Sequence, residues 1–476
     1  TGAVMHFDRS LREKDSRTSE ELFAGCYRLL ALPEALVMGS TTQGVAIWPL
    51  RNMAVRPVQL PPHPIEETID MVVGASRHGD AFHVLSQRRG LFIYDTAGTL
   101  QRHVGTNYHP DQRFESMSAI GEDDVLLGAT PAPLLARAGS QSLIPLPGAG
   151  GDSPCADAAL WIREDGRGGY WYMSAEKGLQ HWLPALGTCR SIREELPAVS
   201  ALLSEWPWDV FTDRAGRSWF MSANTPPVVL HPDGRAERVT GPTSLAPFEV
   251  SDIAQTPDGQ LWFAVKHRGL ARLRIGNGET IDVEDVSDRL ASRNILEVQA
   301  MTDGSLWMSQ PNTIMHWDPR TDASRVLSIL DGIAPGPLNL DPDHAPSDYP
   351  VLVGTWEGYY MLHESALQSA EPPEVHVPSV LLGDSLLMRH ADHAHARLLL
   401  PIAPERLTFL LRTDNLIDPQ RDELAYRMVG MDTTWSIIGD EERITFNHLD
   451  PGSYRFEVKA RTNGGAWGAV TAVPFT

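Results

Sequence analysis

One short module recurs along most of this sequence. In its clearest copy, Asp258-Gly259 predicts a tight turn, because glycine accepts the positive φ that hairpin turns require. An apolar strand over Leu261–Val265 follows the turn. A polar turn, Lys266-His267-Arg268-Gly269, then leads into a second strand, Leu270–Leu273. A single copy would predict an ordinary hairpin, so the repetition is what constrains the fold.

The module has eight copies. Four copies place a tryptophan three residues after a glycine, and these tryptophans are Trp171, Trp219, Trp262 and Trp307. Four weaker copies keep the pattern of strand, turn and strand at residues 36–48, 82–94, 125–136 and 351–362. Several short strands in each repeat of roughly 40–50 residues predict a single β-propeller, whose sheets are buried by stacking in a ring.

The number of copies favours eight blades, with seven as the alternative. The segment Val4–Asp8 resembles a blade strand without its own hairpin, and it is a candidate to complete the last blade and close the ring. We expect the repeated tryptophans to pack between blades rather than to contact a ligand.

The repeat stops near residue 370. A proline-rich segment, Glu371–Glu374, marks the boundary, and later strand patterns recur at intervals of about 10 to 15 residues with turns between them. The sequence therefore predicts an all-β chain with a β-propeller at residues 1–370 and an immunoglobulin-like β-sandwich at residues 371–476.

Two sets of residues carry a family resemblance. Asp258-Gly259-Gln260-Leu261-Trp262-Phe263, followed by Gly269-Leu270, resembles the repeat of the two-component-regulator propellers. The tail resembles their companion, the Y_Y_Y domain. It supplies the motif segments Tyr426-Arg427-Met428, Gly430-Met431-Asp432-Thr433-Thr434-Trp435, Leu449–Ala460 and Asn463-Gly464-Gly465-Ala466-Trp467.

The resemblance implies a periplasmic sensor region of a membrane-bound bacterial receptor. In such receptors a transmembrane helix and a histidine kinase or diguanylate cyclase follow the Y_Y_Y domain, and this sequence ends before any such helix. The chain is then a non-enzymatic sensor without cofactors. It is expected to form a homodimer through the sandwich and to meet the membrane only through a helix that would follow it. Family members usually carry two propellers, whereas this sequence predicts one.

The composition limits the classes of partner that this chain is expected to bind. A net charge of −21 opposes binding to nucleic acid, because the phosphate backbone is also negative. No apolar run reaches the roughly 20 residues of a membrane-spanning helix. The three cysteines, Cys26, Cys155 and Cys189, lack metal-binding spacing, and at most one pair can form. We interpret them as buried free thiols or incidental residues.

Three other motifs are interpreted as loops. Gly383-Asp384-Ser385-Leu386 matches the nucleophile block of GDSL-type hydrolases, but strands rather than an α/β domain follow it. The histidines His390, His393 and His395 lack the spacing of a helical ligand pair. The acidic loop Asp341–His344 with Asp348 is a weak calcium candidate. No catalytic or metal site is predicted.

The candidate ligand site follows from propeller topology. In a four-stranded blade, the turn between the second and third strands lies on the same face as the link that enters the innermost strand. The residues that these turns and links place around the central mouth are Arg88, Arg89, Lys177, Trp206, Trp208, Lys266, His267, Arg268, Trp356 and Glu357. Cations with nearby indole rings predict binding of a small polar ligand, such as an oligosaccharide or an anionic compound.

Two other functions compete with the sensor. A propeller lyase or glycosidase acting on polysaccharide fragments would be favoured by a pair of carboxylates converging in the central mouth. A protein-binding scaffold would be favoured by a mouth filled with apolar side chains.

Overall fold

The computed structural model divides the chain into two compact units, residues 54–368 and residues 1–53 with 369–476. The predicted propeller domain, 1–370, thus starts 53 residues before the first of these units. The structure describes residues 3–7, 13–18, 26–31, 35–40, 44–49, 55–61, 70–105, 112–120, 124–146, 157–203, 207–276, 281–328, 331–333, 336–340, 346–356, 358–367, 372–389, 399–400, 406–415, 421–439, 441–462 and 465–476.

Five strands lie before the unit 54–368. They are β1 (Ala3–Phe7), β2 (Glu13–Thr18), β3 (Cys26–Ala31), β4 (Ala35–Ser40) and β5 (Gly44–Pro49). Strands β1 and β2 form a hairpin, and β3, β4 and β5 form a three-stranded sheet that contains the first sequence copy. The prediction that Val4–Asp8 completes the last blade is wrong, because Val4 pairs with Arg17 of β2.

The described residues of the unit 54–368 form seven antiparallel sheets, and we number them 1 to 7 along the chain. Sheet 7 includes β6 (Val55–Gln59) from the start of the unit. Sheet 1 contains β7 (Val72–His78), β8 (Ala81–Ser86), β9 (Gly90–Asp95) and β10 (Leu100–Val104). Sheet 2 contains β11 (Arg113–Ile120), β12 (Asp124–Thr130), β13 (Leu134–Ala136) and β14 (Leu143–Pro145). Sheet 3 contains β15 (Ala159–Glu164), β16 (Tyr170–Ser174), β17 (Gly178–Leu183) and β18 (Thr188–Ser191).

The remaining sheets repeat this order. Two short helices, α1 (Ile192–Glu195) and α2 (Pro197–Leu202), lead from sheet 3 into sheet 4. Sheet 4 contains β19 (Pro207–Thr212), β20 (Ser218–Ser222), β21 (Val228–Leu230) and β22 (Ala236–Arg238). Sheet 5 contains β23 (Val250–Gln255), β24 (Leu261–Val265), β25 (Gly269–Ile275) and β26 (Ile281–Asp285). Sheet 6 contains β27 (Glu297–Ala300), β28 (Leu306–Gln310), β29 (Thr313–Trp317) and β30 (Ser324–Leu327). Sheet 7 continues with β31 (Val351–Gly354) and β32 (Gly358–Leu362).

The predicted module is confirmed where it is clearest. Gly259 has φ 89°, as the tight turn requires, and β24 and β25 cover the two predicted strands. Every residue of β16, β20, β24 and β28 is buried, because each sheet is covered on both faces by its neighbours. These strands therefore read as continuous apolar runs with few polar residues, rather than as alternating patterns.

The repeated tryptophans pack between successive sheets, as predicted. Trp171, Trp219, Trp262 and Trp307 are all buried. Trp219 meets Phe263 of sheet 5 edge to face at 5.3 Å between ring centroids, and Trp262 meets Trp317 of sheet 6 at 5.5 Å. Such edge-to-face pairs add to the hydrophobic free energy that holds neighbouring sheets together.

The seventh sheet also contacts the first. Strand β31 lies against β7, and the Val72 N–H donates to the carbonyl of Thr355. On its other side, β32 pairs with β6 from Gly358 opposite Gln59 to Leu362 opposite Val55. The unit is an all-β series of antiparallel sheets that is consistent with propeller blades.

Residues 372–476 supply eight strands in two sheets. The strands are β33 (Val375–Leu382), β34 (Ser385–Arg389), β35 (Arg406–Thr413), β36 (Asp422–Val429), β37 (Ser436–Gly439), β38 (Arg443–Asn447), β39 (Tyr454–Thr462) and β40 (Thr471–Phe475). Their orders are β34-β33-β35-β38 and β37-β36-β39-β40. The two sheets share one core, in which Phe409 stacks on Phe456 at 4.1 Å. This part of the chain is a β-sandwich.

Candidate functional site

The turns between second and third strands lie beside the links that enter the first strands. In sheet 1 the Ser86 hydroxyl donates to Asp70, and in sheet 3 the Ser174 hydroxyl donates to Asp157. In sheet 5 the Lys266 N–H donates to the carbonyl of Glu249. We call the surface formed by these turns and links the mouth face. Turn and link are thus adjacent, as the topology argument expected.

Three of the predicted cations on the mouth face form ion pairs with acids of the links. Arg89 Nε lies 2.5 Å from Asp70, Lys177 Nζ 3.0 Å from Asp157 and Lys266 Nζ 2.9 Å from Glu249. The same pair therefore recurs in sheets 1, 3 and 5. These cations stabilise the turns and offer less free positive charge to a ligand than their number suggests.

Arg88, His267 and Arg268 have different surroundings. The Arg268 side chain is exposed, and its backbone N–H donates to Val265. His267 has φ 57°, and its Nδ1 lies 2.8 Å from the Asn294 side-chain oxygen. Arg88 is half-buried, and its Nε has no hydrogen-bond partner among the described residues. Arg268 is the candidate most accessible to an anion.

Trp208 combines several features of a binding residue. It is half-buried, and Lys266 Nζ lies 5.3 Å from its ring centroid. Its indole N–H is buried without a partner among the described residues. Trp356 is 49% exposed. The structure thus brings Trp208, Lys266 and Glu249 together, while Trp206 and Glu357 lie outside the described residues.

A β-bulge marks the start of the first strand in five sheets. The extra residues are Val73, Glu115, Leu160, Trp208 and Ser251. A bulge leaves its extra residue out of the ladder and changes the direction of its side chain. Leu160 is 45% exposed, so an apolar side chain and an indole occupy the bulges of neighbouring sheets 3 and 4. The sequence prediction missed Leu160 and Glu115, because nothing in the local pattern distinguishes a bulge from a regular strand.

A row of acids in three consecutive first strands was also missed. Asp209, Asp252 and Glu297 stand at equivalent positions, each opposite the residue two places after a repeated tryptophan. We call them the acidic row. The recurring acid near the start of the innermost strand is a sequence signal that could have revealed the row.

Burial controls the protonation of the acidic row. Burial and the field of Glu297 raise the pKa of Asp252 well above its usual 3.8. Burial raises the pKa of Glu297 to about 7, against the hydrogen bonds from Leu340 and Ser309 that lower it. Asp209 forms an ion pair with Arg163 at 2.9 Å. Glu297 can therefore retain its proton close to neutral pH.

The motifs interpreted as loops gain little support as sites. Gly383 has φ 60° in the turn between β33 and β34, and Asp384 is exposed and pairs with Arg406 at 2.5 Å. His390, His393, His395 and the segment 341–344 lie outside the described residues. Asp348 accepts a hydrogen bond from the Thr302 hydroxyl.

One group in the described part of the sandwich has metal-ligand chemistry. Potential ligand atoms of Glu374, His376 and Asp414 lie within 4.8 Å of one another. Both carboxylates are exposed, and Asp414 already accepts the backbone N–H of Glu374 at 2.8 Å. Strand pairing and solvation account for this arrangement.

One cysteine differs from its interpretation as a thiol. Cys189 is disulfide-bonded. The interpretation of Cys189 as a free thiol is therefore wrong.

The sandwich motif residues form a ladder of cations and indoles. Lys459 Nζ lies 4.2 Å from the ring centroid of Trp435 and 4.9 Å from that of Trp467. Arg427 lies 4.6 Å from the ring centroid of Trp435, and Arg461 lies 4.6 Å from that of Trp467. Partly exposed cation–π contacts of this kind stabilise the sheet surface and explain why the motif pairs these tryptophans with basic strands.

Comparisons with solved structures give distant matches. The extracellular domain of a one-component system from B. thetaiotaomicron matches with a TM-score of 0.49 and 16% identity, over 94% of this chain and 61% of that one. The extracellular domain of a hybrid two-component system from the same organism gives 0.33 and 12%, over 98% and 81%. YCF48 from Cyanidioschyzon merolae gives 0.48 and 14%, over 65% and 98%. This chain thus spans less than two thirds of the first of these proteins.

A sequence comparison identifies the domain at the C-terminal end of the chain. No curated protein matches the sequence. In the described part of the chain, no helix is long and apolar enough to cross a membrane. The Y_Y_Y domain model matches residues 415–476, which include strands β36 to β40 and both tryptophans of the ladder. The chain therefore carries a Y_Y_Y domain at its C-terminal end.

Proposed function

We propose that this chain is the extracytoplasmic ligand-sensing region of a membrane-bound bacterial signalling receptor. The observation that carries the proposal is the Y_Y_Y domain at residues 415–476, which follows a series of propeller-like sheets. A histidine kinase or diguanylate cyclase output would lie outside this chain. The chain itself would bind and transmit, without catalysis.

The disulfide supports an extracytoplasmic location. Disulfides persist in oxidising compartments such as the periplasm and are rare in the cytosol of most bacteria. Cys189 lies at the end of sheet 3, where a disulfide stabilises mainly by restricting the unfolded chain. A periplasmic site would be consistent with both the disulfide and the Y_Y_Y domain.

We infer a seven-bladed ring rather than eight blades. Contacts run through sheets 1 to 7, and sheet 7 lies against sheet 1. Asn339 pairs with Gly354 in an isolated bridge that stands where the first strand of sheet 7 would be. Each blade would then have four strands, with β6 as the outer strand of the last blade.

The proposed ligand site is the part of the mouth face around Trp208. The indole ring would stack on the ligand, while Lys266, Glu249 and the exposed Arg268 would bond its polar groups. A small oligosaccharide or an anionic compound fits this combination. Binding would bias the arrangement of two sandwiches in a homodimer, and the helices that follow would transmit the change.

The acidic row favours a second candidate function. Carboxylates of Asp209, Asp252 and Glu297 in adjacent first strands could serve a propeller lyase or glycosidase. Against this, Asp252 and Glu297 accept backbone N–H groups of the neighbouring sheets, which accounts for them structurally. Turnover of polysaccharide fragments that is lost in Asp209→Asn would favour the enzyme.

A ligand screen with matched variants tests the sensor. Neutral and acidic oligosaccharides would be titrated by calorimetry into the purified chain, the Trp208→Ala variant and the Lys266→Ala/Arg268→Ala variant. We expect the ligand that binds the wild type to lose about tenfold or more in affinity with each variant. Arg320→Ala is the control, because Arg320 pairs with Asp318 in a turn between third and fourth strands, away from the mouth face. Unchanged binding in both mouth variants would contradict this site.

A further inference from the structure

The acidic row connects each sheet to the next. Asp252 Oδ2 of sheet 5 accepts the N–H of Val298 in sheet 6 at 2.8 Å. Glu297 Oε2 of sheet 6 accepts the N–H of Leu340, which precedes sheet 7, at 2.7 Å. Glu297 and Asn339 stand in the next sheets at the position equivalent to Asp252. Val298 and Leu340 are the residues that directly follow them. The same contact is thus made twice, one sheet apart.

Asn339 continues the series with a neutral side chain. Its Nδ2 donates to the carbonyl of Val72 in sheet 1 at 2.9 Å. Four consecutive sheets therefore carry Asp, Asp, Glu and Asn at this position, and the last three reach the following sheet. An amide side chain performs the same connecting role as the two carboxyl groups, so the role does not itself require a negative charge.

The carboxyl groups of the row act on one another. Burial is the main cause of the raised pKa of Asp252, the charges of Glu297 and Asp209 raise it further, and the charge of Asp209 also raises the pKa of Glu297. Arg163 of sheet 3 donates to Asp209. Asp252 is buried and Asp209 and Glu297 are partly buried, so full ionisation of these three neighbouring groups is costly.

We propose that the acidic row is a shared proton-binding site between sheets 4, 5 and 6. It retains at least one proton up to near-neutral pH, and loss of that proton weakens the contacts that join sheets 5, 6 and 7. This role goes beyond ligand sensing, because it makes the centre of the unit responsive to pH whatever the mouth face binds.

The direction of the effect follows from linkage. The pKa of Glu297 is raised from 4.5 to about 7, so the folded chain binds more protons than the unfolded chain between these pH values. The stabilisation from this proton is complete below pH 4.5 and is lost as the pH rises to about 7. The raised pKa of Asp252 acts in the same direction.

The test compares Glu297→Gln with the wild type. Glutamine keeps the acceptor oxygen of the contact and resembles the protonated acid. The equilibrium constant for unfolding would be measured by denaturant titration between pH 4.5 and 8. We expect the wild type to lose about tenfold or more in stability relative to the variant over that range. Titrating groups that do not interact with Glu297 cancel in the difference between the two proteins, whereas the effect of Glu297 on the pKa of Asp252 remains in it.

Glu284→Gln is the matched control. Glu284 pairs with Arg272 at 2.5 Å on sheet 5, and the hydrogen bond from Arg272 lowers its pKa below 4.5. The difference between Glu284→Gln and the wild type should therefore be nearly independent of pH from 4.5 to 8. A difference between Glu297→Gln and the wild type that is independent of pH, or that grows toward acid, would overturn the proposal.

A second measurement uses the wild type alone and applies if the Glu297→Gln variant does not fold. Hydrogen exchange of the Val298 and Leu340 amides in the wild type, corrected for intrinsic exchange, reports the same contacts. Protection that falls by about tenfold or more as the pH rises from 5 to 7.5 would support the proton site. Protection that is constant or increases over this range would overturn it.

Discussion

At the scale of single residues, His181 is the best-defined charge in the propeller-like unit. Its Nε2 lies 2.9 Å from Asp165 and its Nδ1 3.1 Å from Glu195, and the ring stacks on Trp171 at 4.4 Å. Burial opposes the charge on the ring, but the hydrogen bonds and fields of the two carboxylates outweigh burial and raise the pKa of His181 above 6.5. Below this raised pKa the ring is an imidazolium, and it links β17 to α1 and to the end of β15.

We predict that His181→Gln loses about 1–3 kcal/mol of unfolding free energy at pH 6, because two charge-assisted hydrogen bonds are lost. The contribution of a raised histidine pKa is complete below pH 6.5 and is lost as the pH rises through the folded value. The deficit of the variant should therefore shrink toward pH 9. Thermal or denaturant unfolding at a series of pH values measures it.

The control for this prediction is His316→Gln. Burial lowers the pKa of His316, so folding favours the neutral ring and its pH dependence has the opposite sign. An equal deficit of His181→Gln at pH 6 and pH 9 would mean that His181 is held as a neutral ring.

At the scale of elements, the ion pairs between turn and link have unequal weight. Arg89 and Asp70 expose 11% and 16% of their side chains, and Arg89 also donates to the carbonyl of Pro61 at 2.5 Å. Lys266 exposes 42% of its side chain, although its partner Glu249 is mostly covered. A covered pair leaves an uncompensated charge when one partner is removed, whereas water replaces an exposed partner.

We predict that Arg89→Ala costs about 3–5 kcal/mol of unfolding free energy and that Lys266→Ala costs about 0–1 kcal/mol. Denaturant unfolding of the two variants at pH 7 checks the difference. Ligand binding should therefore be tested with Lys266 and Arg268, since a loss of binding in Arg89→Ala could reflect the fold. Equal losses of unfolding free energy in the two variants would show that burial does not determine how much each ion pair stabilises the fold.

The sequence predicted these elements better than it predicted their partners. The turn of Asp258-Gly259 and the strand that follows are local, so residue type and spacing suffice. The ion pairs join residues separated by 17 to 20 positions, and the acids lie in links of irregular structure. That regular separation of acid and cation is itself a periodic signal, but one copy alone does not reveal it.

The bulges and the contacts of the acidic row were beyond local reasoning. A bulge such as that at Leu160 depends on the register of two strands, which short-range patterns leave undetermined. The bond from Val298 to Asp252 joins residues 46 positions apart, and only the stacking of sheets brings them together. The burial that raises the pKa of Asp252 has the same origin.

At the scale of the whole molecule, the repeat gives the number of copies but not which copies belong to the propeller-like unit 54–368. The first copy, at residues 36–48, lies in the sheet β3-β4-β5 and groups with the sandwich unit. The last sheet of this unit depends on a strand far away in the sequence, because β6 pairs with β32 about 300 residues later. Closure is a global property, since each sheet must meet a neighbour on both sides.

Ring closure through β6 can be tested by truncation. Val55 is fully buried in one core with Ile314, Val353 and Leu362. We predict that a chain starting at residue 54 keeps a cooperative thermal transition for the unit 54–368, whereas a chain starting at residue 61 loses it. The second truncation exposes the edge of β32 and leaves the outer strand of sheet 7 missing.

Calorimetry of the two truncated chains measures the transition, and hydrogen exchange of Tyr360 and Leu362 reports the edge directly. Val55→Asp in the full chain is the companion variant, because it buries a charge at the same position without shortening the chain. Exposed Gln59→Asp, on the same strand, is its control. If the chain starting at residue 61 unfolds like the chain starting at 54, closure must depend on the contact of β31 with β7, and the first 60 residues would have no part in the ring.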